Sequence, residues 1–397
     1  LCMPGWLVSR LPKIENGKPE NMRIFLIGAG ERALTIIKNL KEADRDIGIS
    51  VFYDPDISAE HLAEVSLLTG SIRVEEVESA DPSQFDLVMI GSPTCFHLEQ
   101  IKICRQFGKP IFCEKPAVLD FEESLELARL DSSGAFPHGL YFGFVLRHAE
   151  LFQFTNTLLH DDEVITLEAN EYLHPEHGAY IARNWRRRAD LGGTYLLDKA
   201  VHDFDLFNQL IGSRPASISS FARQSHFGPP NASRGTSFEG QYQFVPSGWR
   251  GVDSPFDESN QIMDAQVVCA EYENGALLTF NTNTHTGLRQ RRMFLGTRNK
   301  AVELDFQRNH IAWRAHYDTD NPDTRKFDGD FSNHYGSDPR QAAKILDFAK
   351  SGKSAISVRQ AIEAGLTVML TDKAAETRHI VDCRPVWNEL DSYYRSH

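Results

Sequence analysis

Apolar residues fall in short runs divided by polar and glycine-containing turns, and the period within the runs changes along the chain. Arg23 to Ile27 is mostly apolar and meets Gly28-Ala29-Gly30-Glu31-Arg32-Ala33, after which Ala33, Ile36, Ile37 and Leu40 recur at helical spacing. Strand, glycine turn and helix are predicted. Similar runs at Ile49 to Tyr53, Leu87 to Ile90, Ile111 to Cys113 and Tyr141 to Val145 predict further strands of an open parallel sheet. Beyond them, Val164 to Tyr172, Ser217 to Ala222, Ala265 to Tyr272, Ala276 to Thr282 and Arg292 to Leu295 alternate or are apolar, as strands of a mostly antiparallel sheet do. One helix is predicted over Gly193 to Ile211, with Leu197, Val201, Phe204 and Phe207 in its buried stripe. Two amphipathic helices follow between Pro339 and Val381, with a turn at Gly352-Lys353.

The fold class is therefore α/β plus α+β: an N-terminal Rossmann dinucleotide-binding domain over 22–145, and a C-terminal domain over 146–381 with a large, mostly antiparallel open sheet. The last helices of the second domain are expected to pack back on the first. Residues 1–21 carry three prolines and lie before Met22, so a leader ahead of the true start is expected; 382–397 is expected to be a tail.

With 397 residues, 41% of them apolar, the chain has enough material for two cores. The formal charge of -13 disfavours nonspecific binding to nucleic acid or anionic membrane, and points to a small-molecule partner. No apolar run approaches the roughly 18 residues of a membrane span. Six scattered cysteines without a C-x-x-C pair predict reduced thiols and a cytoplasmic protein.

The glycine turn has the form G-x-G-x-x-A, in which Gly28 and Gly30 allow close approach of a pyrophosphate and Ala33 allows helix and strand to pack. Asp54 ends the second strand, 24 residues beyond Gly30, where an acid that binds ribose hydroxyls is expected. That carboxylate would repel a 2'-phosphate, and Pro55-Asp56 supplies no arginine to accept one, so NAD is expected over NADP. The loops Gly91-Ser92-Pro93-Thr94 and Glu114-Lys115-Pro116 fall at the carboxyl edge of the sheet, where Pro93, His97 and Lys115 would line the nicotinamide end. On the helix, Asp198, His202 and Asp205 stand at i, i+4 and i+7, on one face. A carboxylate one turn from an imidazole can orient it and raise its pKa, making His202 a general base; the other reading is a polar network on a helix face.

G-A-G-E-R-A, Ser92 to His97, Gly108 to Pro116 with its E-K-P element, Gly192-Gly193, Asp198-x-x-x-His202-x-x-Asp205, Asn274-Gly275-Ala276, Leu295-Gly296-Thr297 and His334 to Asp338 occur in this order. Together they resemble the glucose-fructose oxidoreductase and inositol dehydrogenase family, also called Gfo/Idh/MocA, over nearly all of Met22 to Val381. The resemblance implies an NAD-dependent oxidoreductase with Lys115, Asp198 and His202 as its catalytic group. It also implies Ser92, Glu114, Trp185 and Arg186 near the cofactor, Arg147 and His334 near the substrate, and a homodimer or homotetramer formed through the open sheet.

One departure is informative. Where many members have Asp-x-Gly-x-His, this chain has Asp198-Lys199-Ala200-Val201-His202, and Lys199 stands as a second substrate contact, a pyrophosphate contact or a surface lysine. Arg183, Arg186, Arg187 and Arg188 put four guanidinium groups in six residues, which suits an anion or a surface patch paired with acids. Tyr172, His174 and His177 are placed to reach the pocket. Pro175 inside His174-Pro175-Glu176-His177 is expected to break helical spacing, and no metal is expected. The stretch 225–259, with Phe238, Tyr242, Phe244 and Trp249 among prolines and glycines, is a long loop suited either to packing on sugar rings or to reaching a neighbouring subunit.

The expected reaction is hydride transfer between a ring hydroxyl carbon of a sugar, sugar acid or cyclitol and nicotinamide, with tight retention of the cofactor left open. A second reading is a glycoside hydrolase or lyase working through transient C3 oxidation and elimination, which needs a further base from His174, His177, Tyr195 or Lys199. A third is a non-catalytic sugar sensor, which the intact Lys115, Asp198 and His202 oppose.

Overall fold

The computed structural model describes residues 22–68, 71–235, 248–328 and 334–395. The expected leader, and Phe238, Tyr242 and Phe244 of the long loop, lie outside these residues.

Six strands form the first sheet: β1 (Arg23–Ile27), β2 (Gly48–Tyr53), β3 (Ile72–Arg73), β4 (Leu87–Ile90), β5 (Ile111–Cys113) and β6 (Leu140–Phe142). They are all parallel, in the order β3-β2-β1-β4-β5-β6. Ile24 to Ile27 and Leu87 to Ile90 are buried along their whole length, as central strands covered on both faces must be. The strand order reverses between β1 and β4, and a crevice opens at the carboxyl ends of that pair. Tyr141 to Val145 is shorter than its apolar run suggests, because the chain turns into a tight helical turn at Val145–His148.

The second sheet has nine strands: β7 (Val164–Tyr172), β8 (Pro215–Arg223), β9 (Ala265–Tyr272), β10 (Leu277–Asn283), β11 (Gln290–Thr297), β12 (Lys300–Asp305), β13 (His310–Ala315), β14 (Asp323–Lys326) and β15 (Val381–Asp382). Their order is β14-β13-β12-β11-β7-β10-β9-β8-β15, with only β7 and β10 parallel. Leu167, Val268, Leu278, Phe280, Met293 and Leu295 point to one face, on which helices Val201–Ile211 and Val358–Thr377 pack. The opposite face carries Phe221, Val267, Leu277 and Phe294, all exposed.

Helix Asp338–Ser351 lies against helix Glu31–Ala43, and Val358–Thr377 against Phe121–Ser132, so the last helices do return to the first domain. Where a tail is expected, β15 pairs with β8 and helix Arg384–Arg395 buries Trp387, whose indole N–H donates to the Pro215 carbonyl at 2.6 Å. A two-residue strand carries no period, but the helix does have a legible stripe of Val386, Trp387, Leu390, Tyr393 and Tyr394 at helical spacing, which the expectation of a tail misses.

The helix expected over Gly193 to Ile211 is not uniform. Leu196–Ala200 is a turn of π-helix leading into the α-helix Val201–Ile211. Such a widened turn shifts the residues before it relative to those after it. Asp198 and Asp205 therefore serve different neighbourhoods.

Candidate active site

Gly28 turns out of β1 at φ +78°, and a Cβ there would meet the Ser92 nitrogen at 2.6 Å. Gly30 precedes the helix Glu31–Ala43 and has nothing within 4 Å of where a Cβ would stand. A helix N-terminus with open space before it is a cradle for a phosphate group. Ala33 is buried against Gly91, so the third small position serves packing. Asp54, at the end of β2, accepts from the Ala29 N–H at 2.8 Å. A guanidinium missed in the sequence stands beside it: Arg73, at the end of β3, donates to the Asp54 carbonyl at 3.0 Å. It was invisible because β3 is too short to announce itself and 19 residues separate the pair.

The loops after β4 and β5 are locked to each other. His97 is buried, with Nδ1 2.8 Å from the Pro116 carbonyl and Nε2 3.0 Å from the Ser92 carbonyl. Both ring nitrogens are thus used in holding the loops together, and the buried ring is not free to line a ligand site. Ser92 donates its hydroxyl to Gln100 at 2.6 Å, and Pro93 begins the turn Thr94–Phe96. Glu114 is likewise committed, accepting from Arg32 at 3.4 Å and from the Lys115 N–H at 3.2 Å.

Lys115 reaches across to the second domain. Its ammonium donates to the main-chain carbonyl of Asp198 and stands 4.0 Å from that residue's carboxylate. Arg186 holds the same carboxylate from the other side at 3.1 Å and stacks on Trp185, 4.3 Å from the ring. Asp198 is therefore paired with two cations, and no hydrogen bond joins it to His202. The expectation that a carboxylate raises the His202 pKa is corrected. Burial, then the charges of Lys115, Arg291, His334 and Lys199, push that imidazole well below its ordinary value, and its Nδ1 is buried without a partner. Burial also lowers the Lys115 pKa, against the pull of Asp198 and Glu114.

Behind His202 lies a buried ionic group that periodicity does not reveal. Arg291 holds Asp203 at 2.9 and 2.6 Å and Glu171 at 3.2 Å, and Lys199 stands 3.9 Å from Glu171. Lys199 is thus no surface lysine; burial lowers its pKa. His334 lies 6.3 Å from His202, ring to ring, and bonds Asp338 at 3.0 Å. Burial takes its pKa down to about 4.

Comparison with known proteins identifies the family of both domains. Residues 22–133 match the model of the oxidoreductase family with an NAD-binding Rossmann fold, and residues 164–302 match the GFO/IDH/MocA C-terminal domain. The chain belongs to the Gfo/Idh/MocA family. It is 28% identical over 209 residues to inositol 2-dehydrogenase of Corynebacterium glutamicum (strain R), covering 50% of this chain and 57% of that one. It thus spans little more than half the length of that relative. Among solved structures, an oxidoreductase domain protein from Kribbella flavida superposes with a TM-score of 0.73 at 18% identity, over 91% of this chain and 99% of that one. The WlbA dehydrogenase from Bordetella pertussis, solved with NADH and UDP-GlcNAcA, gives 0.66 at 14%, over 91% and 98%.

The first domain is the part that matches the family's NAD-binding Rossmann fold. Several expected contacts of the second are placed elsewhere. Arg147 is buried in a two-bond pair with Asp205, at 2.7 and 2.5 Å, and donates to Gln360, so its guanidinium is committed within the fold. The arginine cluster disperses. Arg186 goes to Asp198, Arg188 to Asp190, Arg187 to Ser259 and the Arg250 carbonyl, and Arg183 to the Val252 carbonyl. Pro175 opens a helix, Pro175–Arg183, instead of breaking one, since the first helical position needs no N–H. His174 accepts from the Glu176 N–H as that helix's cap. His177 faces the charges of Lys199, Arg289, Arg186 and His334, which with burial lower its pKa. Tyr172 ends β7, half-buried. Tyr195 is buried and bonded to Thr282, which removes it as a spare base. Among the described residues no group of three His, Cys, Asp or Glu side chains is placed to hold a metal.

Proposed function

We propose that this chain is an NAD-dependent dehydrogenase that oxidises a ring hydroxyl carbon of a sugar, sugar acid or cyclitol. The observation that carries the reading is the convergence of Lys115, from the carboxyl edge of the first sheet, with Asp198 and His202 of the second domain. Bound in the cradle of Gly28 and Gly30, NAD supplies the hydride acceptor. The residues of the chain handle the proton. Lys115, steadied by Asp198, holds the substrate oxygen, and His202, kept neutral, accepts the hydroxyl proton as the carbonyl forms. Lys199, His334 and Tyr172 are the proposed contacts for the remaining substrate hydroxyls, and Asp54 is proposed to favour NAD over NADP.

The test is to purify the protein without added nucleotide, identify any dinucleotide released on denaturation, and follow NADH absorbance with a panel of free sugars, sugar acids and cyclitols. NADH accumulation with any of them supports the reading, and silence across the panel sinks it. The lowered pKa of Lys199 beside the site favours a second reading, in which oxidation is transient and Lys199 removes a neighbouring C–H proton to eliminate an aglycone. Release of phenol from aryl glycosides without net NADH identifies it.

We further propose that the face of the second sheet carrying the exposed Phe221, Val267, Leu277 and Phe294 pairs with a second copy of this chain, giving a homodimer or homotetramer.

A further inference from the structure

The segment after Gly248 belongs to the second domain by its anchors. The Val252 N–H donates to the Arg183 carbonyl at 2.9 Å and the Gln261 N–H to the Arg187 carbonyl at 3.0 Å. Arg187, buried, donates to the Arg250 carbonyl at 2.6 Å and to the Ser259 hydroxyl at 2.7 Å. The dispersed arginine cluster thus includes the fastenings of this strap.

At the tip of the strap, Trp249 lands on the first domain. Its indole N–H donates to the Asp56 carboxylate at 2.7 Å, and its ring lies 6.1 Å from that of Phe96, centre to centre. The Arg250 guanidinium covers the ring from 4.6 Å. Asp56 follows β2 and Phe96 follows β4, whereas β1, with the glycine cradle, lies between those two strands. A side chain that touches both flanks straddles the crevice. Phe96 is 41% exposed even so.

We propose that Trp249 is a cofactor-site residue, supplied by the second domain, which closes over the adenosine half of the dinucleotide. Asp56 stands two residues beyond the ribose-side acid Asp54, so the indole N–H is anchored at the adenosine end, while its ring contact reaches Phe96 in the loop after β4. Release of the cofactor then requires the indole to leave Asp56 and Phe96. The proposal depends on dinucleotide binding by the first domain but not on which substrate is oxidised.

The test uses the full chain and no substrate. NADH dissociation is timed by stopped-flow fluorescence for the wild type, Trp249→Ala and Asp56→Ala, and the affinity for reduced nicotinamide mononucleotide, which lacks the adenosine half, is measured beside it. Stacking of a base on an aromatic ring is worth enough that Trp249→Ala should speed NADH release about tenfold or more. Asp56→Ala, on the surface, should shift it in the same direction by less, and the mononucleotide should bind all three proteins alike. Unchanged NADH release in both variants overturns the proposal, as does equal weakening of dinucleotide and mononucleotide. Failure of the wild type to bind NADH at all would instead overturn the cofactor assignment and the proposal with it.

Discussion

The Lys115 ammonium and the Asp198 main-chain carbonyl meet across the two domains, and the Asp198 carboxylate lies 4.0 Å from the same ammonium. A lysine tied both to backbone and to carboxylate is fixed in place, as a group that must hold a reacting oxygen should be. Lys115→Met and His202→Ala should each lower kcat/KM by about 100-fold to 10,000-fold, the range for a lost acid/base or oxygen-holding group. NADH affinity should change little in His202→Ala. Turnover that survives both substitutions would remove these residues from the reaction.

The depressed pKa of His202 gives a pH profile with a definite sign. A base whose folded pKa lies below 6.5 is already neutral at pH 7, so the acid limb of kcat/KM should lie below pH 6.5. Lys115, Arg291, His334 and Lys199 are the charged or titratable groups that, with burial, hold it down. Lys115→Met takes one positive charge from beside the imidazole, so the residual activity should show its acid limb moved to higher pH. An acid limb above 6.5 in the wild type, or a shift to lower pH in the variant, contradicts the assignment.

Much of this site was legible because the chemistry and the local pattern coincide. The glycine turn, Asp54, Lys115 and His202 each sit at the end of an element whose period is plain. What stayed hidden was partnership across long separations. Asp198 and His202 look like a pair at helical spacing, yet the π-turn at Leu196–Ala200 and the distant Arg186 and Lys115 give the carboxylate other company. Arg291 and Glu171 lie on alternating strands among other charged residues, and only the register of β7 with β11, which sets Arg291 opposite Glu171, puts them at one depth. Arg73 and β15 escaped because two-residue strands have no period to read.

Arg147 separates a structural role from a binding role. Its guanidinium is paired with Asp205 in a buried place, and removing one partner leaves an uncompensated buried charge, which costs about 3–5 kcal/mol. Arg147→Ala should therefore lower the urea midpoint markedly. A variant of unchanged stability with a raised KM would return Arg147 to the substrate site.

Asp54 and Arg73 are expected to set opposing preferences at the ribose end. The wild type should favour NAD, because the Asp54 carboxylate repels a 2'-phosphate. Arg73 stands ready to hold that phosphate, since its guanidinium already lies against the Asp54 carbonyl at 3.0 Å. Asp54→Ser should raise kcat/KM for NADP relative to NAD by about tenfold or more, the size of a charge-assisted bond gained. Adding Arg73→Ala should abolish that gain; its persistence would leave Arg73 without a part in cofactor choice.

The outer face of the second sheet offers the remaining prediction. Register puts Phe294 opposite Glu168, Thr279 opposite both Glu168 and Cys269, and Phe221 opposite Val267, so these residues share one face, as does Leu277 opposite Thr166. Phe221 is 67% exposed and Phe294 47%, and none of the helices named above packs there. Exposed apolar side chains on β11, β10, β9 and β8, two of them aromatic, are costly in water and mark an interaction surface. A two-fold axis normal to such a face would set each patch against its own copy, the arrangement of an isologous interface. Sedimentation of the wild type should therefore give a dimer or tetramer, and Phe221→Lys with Phe294→Lys should yield a smaller species, because two lysines per face would meet their like across the axis. The substitutions lie outside the core and far from Lys115 in the fold, so the far-ultraviolet circular dichroism should not change. A wild type that sediments as a monomer at micromolar concentration, or a double variant that keeps the wild-type mass, would show that this face does not pair with a second copy.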